Sequence, residues 1–176
     1  MPRFARLVVP NYPHHVTQRG SRRQLTFFND ADYSAYCDLL AEQLPKAEVD
    51  ILAYCLMPNH VHLILVPHRG DSLARLLRRA HACYARRINV KYGWQGHLWQ
   101  ERFHSFVMDE EHLLAAARYV DNWHTFLADA LSATEIEKLR SHSRSGHPAG
   151  SLRFIGELES LTGRRLVPRK RGPTGT

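Results

Sequence analysis

The chain has 176 residues, 24 lysines and arginines against 17 aspartates and glutamates, and a net charge of +7, with 44% hydrophobic and 23% charged residues. That balance excludes a wholly disordered, collagen-like or coiled-coil chain and suits one domain with a sizeable core. No apolar run reaches the roughly 20 residues that a bilayer crossing needs, and MPRFARLVVPNYPHH has too short an apolar stretch for a secretory leader, so a cytoplasmic protein with no membrane partner is expected.

Taken in chain order, His14 to Arg19 (HHVTQR) predicts a strand, bounded by Pro13 and Gly20. Asn29-Asp30 offers an N-cap for a helix over 31–44, with Tyr33, Tyr36, Cys37 and Leu40 at helical spacing and Pro45 as its stop. The apolar runs 50–57 and 60–66, separated by Pro58-Asn59, predict an antiparallel hairpin. Asp71-Ser72 then caps a helix to about Asn89, whose stripe is Leu73, Leu76, Leu77, Ala80, Tyr84 and Ile88, and whose opposite face carries Arg75, Arg78, Arg79 and Arg86. An aromatic, glycine-rich loop from Tyr92 to Gln100 leads into a strand over 102–108. A third helix starts in Asp109-Glu110-Glu111, where acids suit the macrodipole, and runs toward Ala130.

The order β-α-β-β-α-β followed by a helix predicts an α+β, ferredoxin-like fold, an antiparallel sheet with helices packed on it. The predicted divisions are a domain over 1–130, a short helical extension over 131–163 and a basic flexible tail over 164–176. The extension holds a capping box at Ser132–Glu135, a polar linker SHSRSGHPAG and a helix over 151–162 closed by Gly163. Cys37, Cys55 and Cys83 form no CxxC pair and are expected as buried apolar residues.

Charge alternates along the chain. Successive blocks ending at residues 28, 68, 102, 139 and 176 carry +5, −5, +6, −5 and +6. Basic blocks that converge in space are the electrostatic footprint of a nucleic-acid binder, although an exposed basic surface alone also draws other acidic partners.

The most informative stretch is Pro58-Asn59-His60-Val61-His62-Leu63-Ile64-Leu65-Val66. Alternation puts His60 and His62 on one face and Val61, Leu63 and Leu65 on the other. Two imidazoles in an apolar strand need partners, and a divalent metal satisfies both at once. The bland alternative is a chance HxH in a chain with twelve histidines. His68 shares the parity but lies beyond Pro67. A metal on two histidines keeps positions open for substrate oxygens, and beside a basic surface those oxygens are expected to be phosphate. Tyr119, on the third helix, is a candidate nucleophile, and Tyr33, Tyr36 and Tyr84 are its rivals on spacing alone.

CLMPNHVHLIL, YARRINVKYGWQGHLWQERFHS and LLAAARYV, preceded by HVTQRG and FFNDADY, resemble the single-tyrosine HUH transposases of the insertion-sequence-200-like type, and among them the REP-associated tyrosine transposases. The resemblance spans about Arg3 to Val120. It implies an HUH fold, Mg²⁺ or Mn²⁺ held by His60 and His62, and cleavage and rejoining of single-stranded, hairpin-flanking DNA by Tyr119 through a 5′-phosphotyrosine. Candidate phosphate contacts are Arg19, Arg22, Arg23, Arg75, Arg78, Arg79, Arg86 and Arg102, and Trp94 and Trp99 are candidates to stack on unpaired bases. Relatives of this kind include monomers and homodimers.

The chain departs from the family pattern after the tyrosine. Relatives place an Asn four residues on, whereas here Tyr119-Val120-Asp121-Asn122-Trp123-His124 puts Asn122 at i+3 and omits the following Pro, as an internal deletion after Val120 would. Asn122 is the expected third metal ligand, with Asp121 and His124 as substitutes. The alternative is a catalytically impaired relative that binds hairpin DNA. A phosphoesterase using water at the histidine pair is a further alternative.

Overall fold

The computed structural model describes residues 6–121, 137 and 141–167. Its elements are β1 (His14–Arg19), a 3₁₀ turn (Ser21–Arg23), α1 (Asp30–Ala47), β2 (Val49–Met57), β3 (His60–Pro67), α2 (Ser72–Tyr92), β4 (His104–Val107), α3 (Glu110–Asp121) and α4 (Leu152–Thr162). The four strands form one antiparallel sheet in the order β2-β3-β1-β4. This is the ferredoxin-like arrangement expected from the element order.

Local chemistry accounts for most boundaries. Asn29 caps α1 by accepting from Asp32 N–H at 3.2 Å, while the Asp32 carboxylate accepts from Phe28 N–H at 3.1 Å. Lys91 meets the buried Asp32 at 2.7 Å, tying the end of α2 to the start of α1. Gly93 ends α2 and Gly163 ends α4 in left-handed conformation, with φ of 65° and 63°.

Two boundaries differ from expectation. Pro45 does not stop α1, which continues to Ala47 before Glu48 turns left-handed at φ 57°. A proline one turn from a helix end removes a single N–H, and the carbonyl it frees, on exposed Ala41, faces water, while burial of Ala47 and Val49 holds the last turn in place. Asp71 makes no side-chain cap bond. Instead Ser72 Oγ accepts from Arg69 N–H at 3.2 Å.

The sheet has two differently covered faces. On one, Val16, Val61, Leu63 and Leu65 pack beneath α1 and α2 with Tyr36, Leu40, Leu76, Leu77, Tyr84 and Ile88. On the other, Cys55, Ile64, Phe106 and Met108 pack with Ala116 of α3 and with Ala149. α3 thus lies across the face opposite α1 and α2, against β2 and β3.

The stretch read as a linker is packed structure. Residues 141–145 are helical, and Ala149 pairs with Met108 as an isolated parallel bridge. Ser151 N–H donates to Asp109 at 2.9 Å, joining the start of α4 to the start of α3, and Leu7, Val9, Val107, Phe154, Leu158 and Leu166 form a third cluster. Packing runs on to Val167, whose N–H, with that of Leu166, donates to Glu159, so residues 164–167 are held and not loose. The extension of the third helix to residue 130 and the capping box at 132–135 lie outside the described residues, as do residues 168–176.

Candidate active site

β3 carries the histidine pair because its alternation is strict where it crosses the sheet. Val61, Leu63 and Leu65 are fully buried toward α1 and α2, so His60, His62 and Ile64 face α3. Register sets their neighbours on that face: Arg19, Thr17 and His15 of β1 stand opposite His60, His62 and Ile64, and Met57, Cys55 and Ala53 of β2 flank them on the other side.

The turn before β3 is anchored from two sides. Pro58 C=O accepts from Thr26 and Phe27 N–H at 2.7 and 3.1 Å, and Asn59 C=O accepts from Gly20 N–H at 2.9 Å. Gly20 is required by close approach: a Cβ there would sit 2.5 Å from Gln24 O and 2.7 Å from Thr26 Cγ2. The Asn59 side chain donates to Arg23 C=O at 3.1 Å and offers Oδ1 to His60 Nδ1 at 2.6 Å. His60 Nδ1–H therefore donates to Asn59, which leaves Nε2 as the basic nitrogen.

His62 is oriented differently. Its Nδ1 lies 2.9 Å from His15 Nε2, and the two rings stack at 5.1 Å between centroids. His60 and His62 lie 4.9 Å apart, edge to face. Burial, assisted by the Arg19 charge, draws the His60 pKa down to about 4; burial, with His15, His60 and Arg19, holds His62 well below 6.5; and burial alone draws His15 to about 4. All three rings are neutral at pH 7. Neutral imidazole is the form a metal takes.

The tyrosines separate cleanly. Tyr36 and Tyr84 lie under α1 and α2, on the sheet face away from the histidines, with hydroxyls bonded to His81 and to Thr26 C=O and pKa values raised by burial. Tyr33 stacks on Phe27 at 4.5 Å, on the same side as Tyr36. Tyr119 is on α3, the helix across the histidine face, one turn beyond buried Ala116. Asn122 and His124 lie outside the described residues.

The candidate DNA contacts fall into separate groups. Arg19, Arg22 and Arg23 are exposed beside the histidine pair, on the segment fastened to the Pro58-Asn59 turn. Arg78 and Arg102 line a shared groove with Arg6. Arg75, Arg79 and Arg86 lie on α2, on the opposite side of the sheet, and Arg75 is engaged by Glu48 at 3.2 Å and by Lys46 C=O. Trp94 is 40% exposed against Phe28 and Tyr92. Trp99 corrects the sequence reading: it is 9% exposed, stacks on His81 at 4.5 Å and donates to His81 C=O at 3.2 Å, so its faces are core contacts and admit no base.

His15 and Asn59 were missed as site residues. The signal for His15 was parity in β1, which becomes useful only when β1 is known to lie beside β3.

The profile of the IS200-like transposases matches residues 8–123 of this sequence. The chain belongs to the IS200-like transposase family. Among solved structures, a REP-associated tyrosine transposase bound to a REP hairpin has the same fold, at TM-score 0.58 and 16% identity over 73% of this chain and 75% of that one. A chain from Deinococcus radiodurans R1, described as a transposase, aligns at TM-score 0.48 and 18% identity over 69% of this chain and 97% of its own. The sequence finds no match among curated proteins.

The IS200-like transposase offers a donor set that fits a divalent ion: two adjacent neutral imidazoles whose Nδ1 atoms are both engaged by neighbours. Among the described residues no cluster of three or more His, Cys, Asp or Glu side chains completes a metal cage. Among them, too, no helix is long and apolar enough to cross a membrane.

Proposed function

We propose that this IS200-like transposase cleaves and rejoins single-stranded DNA flanking a hairpin, through a 5′-phosphotyrosine on Tyr119, at a Mg²⁺ or Mn²⁺ centre held by His60 and His62 and completed by Asn122. The observation that carries this reading is the pairing of His60 and His62, neutral and oriented by Asn59 and His15, on the sheet face that α3 crosses. The hairpin-bound neighbour supports a hairpin DNA partner. Placement of Tyr36, Tyr84 and the partly buried Tyr33 on the other side of the sheet supports Tyr119 as nucleophile.

Bound there, a divalent ion would supply charge neutralisation at the scissile phosphate. The chain does the rest. Tyr119 loses its phenolic proton and its oxygen bonds to phosphorus as the P–O3′ bond breaks; the proton is restored to the leaving 3′ oxygen, giving a 3′-OH. The new linkage keeps the phosphodiester energy, so another 3′-OH can attack it, releasing Tyr119 and joining strands without ATP. Arg19, exposed beside His60, would pair with the phosphate's negative charge.

The test is a denaturation-resistant protein–DNA adduct, formed with Mn²⁺ or Mg²⁺ and single-stranded hairpin oligonucleotides. Wild type is expected to form it; Tyr119→Phe and His60→Ala/His62→Ala are not. Adduct from Tyr119→Phe would overturn the nucleophile, and hydrolysed product without adduct would replace the reading with a water-using phosphoesterase. Salt-sensitive hairpin binding without adduct, indifferent to the histidine substitutions, would identify an impaired relative that only binds.

A further inference from the structure

The first, third and fifth basic blocks of the sequence, far apart in the chain, meet in one cleft of about 840 Å³ at the free edge of the sheet. Residues 101–105 leading into β4 form one wall, and the loop at 143–147 with the chain after α4 forms the other. Arg6, Arg102, Arg144, Arg164 and Arg165 line it, with Glu101 as its single acidic lining residue.

Two of these charges, Arg102 and Arg165, are incompletely compensated among the described residues. Arg144 is paired with Glu137, but Arg102 forms no ion pair among the described residues, and Arg165 acts on Glu159 only as a longer-range charge. Arg6 is held in the cleft by donating to Phe103 C=O at 3.0 Å, with its guanidinium 3.8 Å over the Phe103 ring. There burial and the charge of Arg102 draw its pKa down to about 10, so cations are crowded where water is partly excluded. A second observation is independent of charge: Ser105, also lining the cleft, is 5% exposed and its hydroxyl has no hydrogen-bond partner among the described residues. A ligand bearing anionic oxygens answers both conditions.

Position identifies the ligand. His104 lines the cleft and pairs with Thr17, which pairs with His62, so the cleft opens at the sheet edge two strand spacings, about 10 Å, from the histidine pair, with His104 on the histidine side of that edge and Phe103 and Ser105 on the other. The connection is direct at the strand end as well, where Gln100 N–H donates to Arg19 C=O at 2.7 Å. We propose that this cleft binds the phosphate backbone of the single-stranded DNA flank that leads away from the cleavage site. The inference rests on reading the histidine face as that site, and it gives the C-terminal segment a function: residues 143–147 and 164–167 build one wall of the substrate channel.

The experiment uses the full chain and fluorescence anisotropy with two labelled probes, a blunt-ended DNA hairpin and the same hairpin with single-stranded flanks. Both arginines chosen are exposed, so Arg102→Ala/Arg165→Ala is expected to fold normally, as circular dichroism would verify. That variant should lose about tenfold in affinity for the flanked probe, with the salt-dependence slope falling by about 1.4 and blunt-hairpin affinity kept. Arg102→Lys/Arg165→Lys should retain the slope. Arg153→Ala, on the exposed side of α4, should behave as wild type. Unchanged affinity for the flanked probe overturns the cleft and leaves the hairpin reading standing, whereas no binding of either probe by wild type overturns both. Equal losses on both probes assign the arginines to diffuse charge, and competition by inorganic phosphate that erases the preference for flanks assigns the cleft to free phosphate; either result overturns the proposal.

Discussion

His15 Nε2 lies 2.9 Å from His62 Nδ1, and the other ring nitrogen of His15 is buried with no hydrogen-bond partner among the described residues. A buried nitrogen without a partner costs on the order of 1–3 kcal/mol, so His15 sits there at some expense of stability. Its use is to fix the ring of His62: when His62 Nδ1–H donates to His15, His62 Nε2 carries the lone pair. His15→Phe keeps the ring and its edge contact with Phe106 but removes the acceptor. Mn²⁺ affinity, followed by electron paramagnetic resonance titration, should fall about 10- to 100-fold while thermal stability holds or rises. Unchanged affinity would show that His15 does not orient the pair.

Gly20 joins β1 to the turn that presents His60. Adding a methyl there meets the Gln24 carbonyl at 2.5 Å, a backbone atom that cannot swing aside. Gly20→Ala should therefore shift the Ser21–Arg23 turn, weaken the Gly20–Asn59 bond and displace Arg22 and Arg23. The expected result is a loss of about 1–3 kcal/mol in urea unfolding together with reduced adduct yield. Wild-type stability in the variant would mean that the turn relaxes freely.

The two tryptophans divide by burial. Trp99→Ala removes a ring packed on His81, Tyr36 and Tyr84 and should cost about 3–5 kcal/mol in denaturant unfolding. Trp94→Ala, at a partly exposed ring, should cost far less. If Trp94 stacks on an unpaired base, its loss lowers affinity for flanked hairpins by about 1–3 kcal/mol without changing the unfolding midpoint.

The fold was legible because its signals were local: alternation in β3, the apolar stripe of α2 and the cap at Asn29 each specify an element without reference to the rest. The histidine pair was legible for the same reason, two residues apart on one strand. What escaped depended on pairing between distant segments. His15 joins the site only through the β1–β3 register, and Asn59 only through a turn fastened to Gly20. Trp99 was misread because a loop tryptophan in a glycine-rich stretch looks available, and only the bridge between Gly20 and Trp99 folds it beneath α2. The polar run after residue 140 looked like a linker because pairing of Ala149 with Met108 is tertiary, not compositional.

Acid should destabilise the fold through its buried histidines, of which His14 and His81 lie outside the candidate site. His14 is fully buried, accepts from Val9 N–H at 3.1 Å and bonds Tyr12 C=O through Nδ1 at 2.8 Å, and burial, partly offset by the Tyr12 bond, draws its pKa down to about 4. His81 accepts from Tyr36 Oη at 2.9 Å, and burial draws it to about 3. Both values lie below the unfolded value near 6.5, so between them the unfolded chain binds more protons than the folded one. The stabilisation is fully present above about pH 6.5 and is lost as pH falls toward 4 and then 3, with His14 alone contributing on the order of 3 kcal/mol. Urea midpoints measured from pH 7.5 to 4.5 should fall steadily. His81→Gln, which keeps an acceptor for Tyr36 but cannot titrate, should lower stability at pH 7.5 and flatten the decline. A wild-type midpoint constant across that range would remove the buried rings as a cause, and an equally steep decline in His81→Gln would remove His81.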